Sequence, residues 1–176
     1  MLPDPLHPAV VHLPVALAVL IPLIALLAAL AIRSKFMPAR VWVVVPLLAA
    51  LLATASWVAL ETGEDQEERV EQVVAERFIE SHEERAETFM TVSAVLLAVS
   101  FLGLLSGAAG EVGRAVAFGL SVAVLGFAIT VGHSGGELVY RHGAGLAYID
   151  TAPPGLEGAR AALLAHRAES GDDDSD

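Results

Sequence analysis

Four apolar blocks, each close to the length of a membrane-crossing helix, dominate this chain and leave it few folds to choose from. They run from about residues 9 to 32, 41 to 60, 89 to 106 and 115 to 131. A helix needs about 20 such residues to cross the hydrocarbon of a bilayer. Inside that hydrocarbon every backbone N–H and C=O must be satisfied within the chain, so only helices or closed barrels can span it. Barrel strands would alternate polar and apolar residues, and these blocks do not. The expected fold is therefore all-α: an integral membrane four-helix bundle, with an amphipathic helical connector between helices 2 and 3. Composition agrees, since 55% hydrophobic residues, 18% charged residues and a mean hydropathy of +0.63 exceed what a water-soluble domain of this size can bury.

Charge orients the bundle. The first short loop, RSKFMPAR, carries Arg33, Lys35 and Arg40, and Arg114 stands near the fourth block. The connector carries Glu61, Glu64, Asp65, Glu67, Glu68 and Glu71. The excess of Lys and Arg in the short loops places them in the cytoplasm and puts both termini on the other side, the periplasmic side of a bacterial inner membrane. The opening MLPDPLHPAV has no positive n-region and reads as part of a retained span rather than a cleaved signal. Residues 1–151 are expected to form the membrane domain, with the connector at 64–87 on its outer face. Residues 152–176 are expected to form a short surface helix and an acidic disordered tail. Pro14, Pro22 and Pro46 are expected inside helices as kinks, and Gly63 as a helix stop. Gly119 and Gly126 are expected to serve helix packing, and a glycine-rich turn is expected after His133.

A net charge of −11 excludes nucleic acid as a partner, and the absence of cysteine excludes disulfides, thiolate metal sites and covalent haem attachment. No nucleophile–base arrangement, phosphate loop or HExxH motif marks a stand-alone catalyst; SHEER at 81–85 shares only its first two letters with the last of these.

The histidines are the informative residues. In four alternating spans, the start of the first, the end of the second, the start of the third and the end of the fourth share one side. His7, His12, His82, His133 and His142 therefore gather with Glu61 and Glu64 at the outer edge, and His166 lies in the tail. Neutral imidazole ligates haem b and also zinc, copper and iron. Two imidazoles from different helices can hold a haem inside a bundle, and Gly132, Gly135 and Gly136 would let backbone approach a flat macrocycle. The competing readings are interfacial or hydrogen-bonding histidines, glycines that only pack helices, and an Arg141 that is either an interface anchor or a contact for a haem propionate.

HPAVVHLPVAL at 7–17 and GGELVYRHGAG at 135–145 resemble the two signature ends of the small bacterial membrane family known as domain of unknown function 2231. His7, His12, His82 and His142 match its pattern position by position. His133 resembles the variant in relatives that accompany c-type cytochromes, and other relatives are joined to Rieske iron–sulfur domains. The resemblance implies electron transfer and a bis-His haem b, one or two per chain, with a separate c-type cytochrome or iron–sulfur protein as partner. His7, His12, His82, His133, His142, Gly135, Gly136 and Arg141 are the expected cofactor-binding residues. Two further readings stay open. One is a divalent metal held by His12, His82, His133 and His142, with Glu61 and Glu64. The other is a cofactor-free accessory subunit of a larger membrane complex.

Overall fold

In the computed structural model the chain is described over residues 5–151, with positions 158, 161 and 165 beyond them. The remainder of the expected surface helix and acidic tail, including His166, lies outside the described residues. Five α-helices follow in order: α1 (His7–Val10), α2 (His12–Arg33), α3 (Val44–Val70), α4 (Glu76–Ser100) and α5 (Gly107–Tyr140). Short 3-10 turns at Ala39–Val43, Phe101–Leu104 and Ala144–Thr151 complete the described chain.

Four helical stretches are long and apolar enough to cross a membrane: His7–Arg33, Ala39–Val70, Glu76–Leu104 and Gly107–Tyr140. The chain is a multi-pass membrane protein. Its outer surface says the same, because α2 alone exposes Leu13, Val15, Val19, Leu20, Leu23, Leu26, Leu27 and Leu30. A helix apolar on both its buried and its outward face has lipid as its solvent.

Each of α2 and α4 packs against both α3 and α5, so α2 and α4 stand diagonally across the bundle. The core mixes large side chains such as Ile21, Leu52, Leu96 and Val124 with small residues at helical spacing, among them Ala18, Ala25 and Ala28 on α2, Ala49 on α3, and Ala117, Ser121 and Ala128 on α5. In lipid no hydrophobic drive pushes helices together, so close approach of backbones over small side chains supplies the contact. The buried serines do not break this core. Ser56, Ser93, Ser100 and Ser121 each donate to a carbonyl three or four residues back in their own helix, which leaves none of these four hydroxyls unpaired.

The cytoplasm-facing end expected from charge is locked by a specific knot. Trp42 is fully buried, and its indole Nε1–H donates to the Ser100 carbonyl at 2.9 Å. Gly103 lies against the indole so closely that a Cβ there would overlap the ring. Arg114 is buried, not a loop charge, and donates to the Gly103 carbonyl at 2.7 Å. Gly110 and Gly113 pass equally close to the backbone at Leu105 and Leu102, which lets α5 start tight against that turn. Arg33, Lys35 and Arg40 remain exposed at this end.

Several local expectations are revised. Pro14 and Pro46 fall in the first turns of α2 and α3, where a missing N–H removes no bond; of the three prolines only Pro22 is interior to a helix. Gly63 does not stop α3, which runs on to Val70. The expected glycine turn after His133 is helix as far as Tyr140. Gly119 and Gly126 face open space rather than a neighbouring helix. The acidic connector is helical, but a turn at 71–75 divides it between extensions of α3 and α4. Tertiary packing overrides local propensity here. Val74, Ile79, Leu138 and Ala144 form a second small core, with Val70, Val73 and Phe78 against it. At about 1.5 Å per residue, the 34 residues of α5 reach about 50 Å, well beyond a hydrocarbon layer of about 30 Å. The surplus of α3, α4 and α5 thus makes a helical platform outside the membrane.

The knot around Trp42 leads to the first expected outcome. Gly103→Ala should displace the indole and lower stability by about 1–3 kcal/mol. Thermal unfolding of the detergent-solubilised protein, followed by tryptophan fluorescence, measures it.

A candidate histidine site at the base of the platform

The histidines divide into two groups. His7 and His82 are half-buried and turned into the bundle; His12 and His133 are exposed on its outside. His133 approaches only the Glu137 carboxylate, at 3.9 Å, with 75% of its side chain exposed. His142 is half-buried and stacks on Phe78, with ring centroids 3.7 Å apart and planes 20° from parallel. Phe78 and His82 are four residues apart on α4 and share a face, so His142 lies about one helical turn outward from His82.

His7 starts α1, where Pro8 occupies a position that needs no N–H. Its Nδ1 lies 2.8 Å from the Ala59 carbonyl and 3.4 Å from the Thr62 hydroxyl, both on α3. A carbonyl can only accept, so Nδ1 carries the proton and Nε2 holds a bare lone pair. The Thr62 hydroxyl gives its own proton to Ala59, at 3.0 Å, and is left to accept from His7. His82 repeats the scheme. Its Nδ1 lies 2.8 Å from the Ser134 hydroxyl on α5, and that hydroxyl donates to the Val131 carbonyl at 3.0 Å. With its proton committed, Ser134 accepts from His82, and Nε2 of His82 is bare as well.

Glycine makes room for both rings. A Cβ at Gly63 would stand 3.3 Å from Cε1 of His7, and one at Gly135 would stand 3.1 Å from Cε1 of His82. Each imidazole thus sits on a hydroxyl–glycine step of the facing helix: Thr62–Gly63 for one, Ser134–Gly135 for the other. The two steps lie 55 and 52 residues after their histidines, so each helical hairpin repeats one arrangement. Because His7 extends α2 and His82 belongs to α4, the rings enter from diagonal corners, within electrostatic reach of each other.

The remaining expected residues stand apart from this pair. Gly136 has open space where a Cβ would be. Arg141 pairs with Glu137 at 3.2 Å, with 74% of its side chain exposed. Glu61 and Glu64 are exposed. Among the described residues no group of three or more His, Asp or Glu is placed to hold a metal ion. Thr62, Gly63, Ser134 and Phe78 contribute to the site although the sequence reading gave none of them a part in it. The recurring hydroxyl–glycine dipeptide at the ends of the second and fourth spans is the signal that could have found them.

Above the pair, the turn after α5 closes the platform. Gly143 takes a left-handed conformation, φ +76°, that reverses the chain. Tyr148 then donates to Gln66 on α3 at 2.9 Å, with the Arg69 guanidinium 5.2 Å from its ring centre.

These features define a class: a four-span helical membrane protein with two imidazoles, from diagonal helices, seated at one end of the bundle. Residues 3–148 match the family model described as "Predicted membrane protein (DUF2231)", and the chain belongs to that family. No curated protein and no solved structure matches the chain.

The burial difference gives a direct check. Treated with diethyl pyrocarbonate, the protein should be modified at His133 well before His82, as read by peptide mass spectrometry over a time course.

Proposed function

We propose that the protein is a haem b electron-transfer subunit and that His7 and His82 would hold the haem. The observation that carries this reading is a pair of rings each held through Nδ1 by an oxygen of the facing helix, an arrangement that leaves Nε2 as the ligating nitrogen. An axial imidazole ligand donates through one nitrogen while the other is held by a hydrogen bond that sets its orientation and basicity. Both rings meet that requirement without rearranging their partners. The donor count favours haem over a divalent cation. A protein-held zinc site takes three or four protein ligands, whereas haem brings four nitrogens of its own and asks the protein for two.

When bound, the haem supplies one-electron exchange between its ferric and ferrous states. The chain's own residues do the rest. Ala59, Thr62 and Ser134 orient the rings, Gly63 and Gly135 leave space for them, and the helical platform sets their access to water. His142, stacked on Phe78 one turn farther out, belongs to the wall between the pair and the aqueous side. The acidic platform, rich in Glu on α3 and α4, suits a soluble redox protein with a basic docking face, bound weakly and with strong salt dependence. A c-type cytochrome or an iron–sulfur protein is the class of partner this reading requires. The Lys and Arg of the first loop support a bacterial inner-membrane orientation, with the histidine end periplasmic.

Two experiments test the reading. The protein purified with haemin should give a sharp reduced-minus-oxidised α band and a low-spin ferric spectrum. His7→Ala and His82→Ala should each remove both features, while His12→Ala and His133→Ala should leave them in place. A full-length chain that takes up no haem, or that keeps the low-spin spectrum in both inward variants, overturns the assignment. Orientation is tested separately, using the lack of native cysteine. A membrane-impermeant maleimide applied to intact spheroplasts should label Glu68→Cys and spare Lys35→Cys.

A further inference from the structure

We infer that Ser134 is a positioning residue that holds His82 in the Nδ1–H form, so that its Nε2 lone pair is available to a ligand. The inference rests on the His7–His82 reading for the identity of what Nε2 grips, but not for the protonation pattern itself.

The argument is one of counting protons and acceptors. Ser134 is 5% exposed, so water does not substitute freely for its partners. Its hydroxyl has one proton, directed at the Val131 carbonyl 3.0 Å away. The 2.8 Å contact with His82 must then run from Nδ1–H to Oγ. The opposite assignment has the hydroxyl donating to a bare Nδ1. It gives up the Val131 bond, so two contacts share one hydrogen bond where the first arrangement makes two. In a low-dielectric setting the arrangement with both bonds wins. The Nε2–H form is also the one a neutral imidazole favours in water, so its suppression has to be imposed by the protein.

The two rings are not held alike. His7 donates to a backbone carbonyl, which no substitution at Ala59 removes, with Thr62 as a longer second acceptor. His82 relies on one side chain. Ser134 is therefore the point where the sequence can loosen one imidazole and leave the other in place. Gly135, beside it, bounds the ring sterically: Cε1 of His82 lies 3.1 Å from a would-be Cβ, so a larger residue would shift the ring that Ser134 holds.

The test uses the full-length chain in nanodiscs with 15N-labelled histidine, haem-free, at an alkaline pH where every imidazole is neutral. Two rings, assigned to His7 and His82 by their absence in His7→Ala and His82→Ala, should show protonated Nδ1 and bare Nε2. The exposed rings of His12 and His133 should show the solvent-like pattern. Ser134→Ala should convert the His82 signal to the solvent-like pattern while leaving His7 unchanged, and Ser134→Thr, which keeps the hydroxyl, should restore it. In a haemin titration, Ser134→Ala should weaken binding by about 10- to 100-fold, the range found when an outer partner of a ligating histidine is removed. Ser134→Thr should stay within a few-fold of the parent protein. A wild-type His82 signal protonated at Nε2, or a Ser134→Ala signal identical to wild type, overturns the inference. The expected protonation pattern together with no haemin binding overturns the haem reading and leaves the role of Ser134 standing.

Discussion

An imidazole ring brought inside a helical bundle needs an acceptor for its N–H, and helix backbones have almost none to spare. Most carbonyls in α3 and α5 are already taken by N–H groups four residues on. The described bundle meets this constraint in two ways. One places His7 on a helical carbonyl, Ala59, which it shares with the Thr62 hydroxyl. The other is an interposed hydroxyl, Ser134, that passes the demand on to Val131. Both ways bring the ring close against the backbone of its partner helix. A glycine at the following position, Gly63 or Gly135, is what lets it lie there. The placement of the two histidines, the two hydroxyls and the two glycines is thus one physical solution used twice.

The ends of the bundle then play different parts. At the charged-loop end, Trp42, Ser100, Gly103 and Arg114 tie the 3-10 turns to the helices through two buried hydrogen bonds and one backbone–indole contact. Burying Arg114 is costly in a membrane protein unless it is paired or bonded, and the Gly103 carbonyl gives it a partner. At the other end the hydrogen bonds of His7 to Ala59 and of His82 to Ser134 tie neighbouring helices at the depth of the rings, and the small core of Val74, Ile79, Leu138 and Ala144 packs farther out. The histidine pair therefore lies between the membrane core and this outer core, and the two packing layers hold the diagonal helices at a set spacing around it. Loosening either layer moves the rings without touching them.

How much of this could be read from the chain follows from which physical signal each feature rests on. The four spans rest on hydropathy over some twenty residues, a signal strong enough to survive errors of several residues at each end. That all five histidines of residues 1–151 fall toward one end follows from the alternation of spans and needs no atomic detail. The connector's spacing of Val74, Phe78, His82 and Phe89 puts His82 on an inward face, but the split between inward His7 and outward His12 and His133 is different. It depends on helix phase within about 100° per residue, and an apolar helix in lipid has too weak an amphipathic pattern to fix that phase. Gly63 and Gly135 depart from the expected stop and turn for a related reason. Glycine breaks isolated helices, but inside a packed bundle its missing side chain is worth more as space than its flexibility costs. The turn at 71–75 went unseen because the connector contains neither glycine nor proline; it is set by where α3 and α4 must fold back to bury Val74 and Ile79.

The repeated arrangement also bears on what kind of group the site suits. Two hairpins each place one imidazole at the same end of the bundle, from diagonal helices and within electrostatic reach of each other. A cation that gathers three or four protein ligands would ask for convergence from several directions, and the outward rings of His12 and His133 cannot supply it without rotating their helices out of the core. The proposed haem would ask the protein for two nitrogens, which is the number the two repeated hairpins supply. Each ring is fixed through its own facing helix and not through the other ring, so the two ligands hold their orientations independently. A haem held by both rings, as proposed, would find each ring already seated on its facing helix, a preorganised arrangement that lowers the cost of binding.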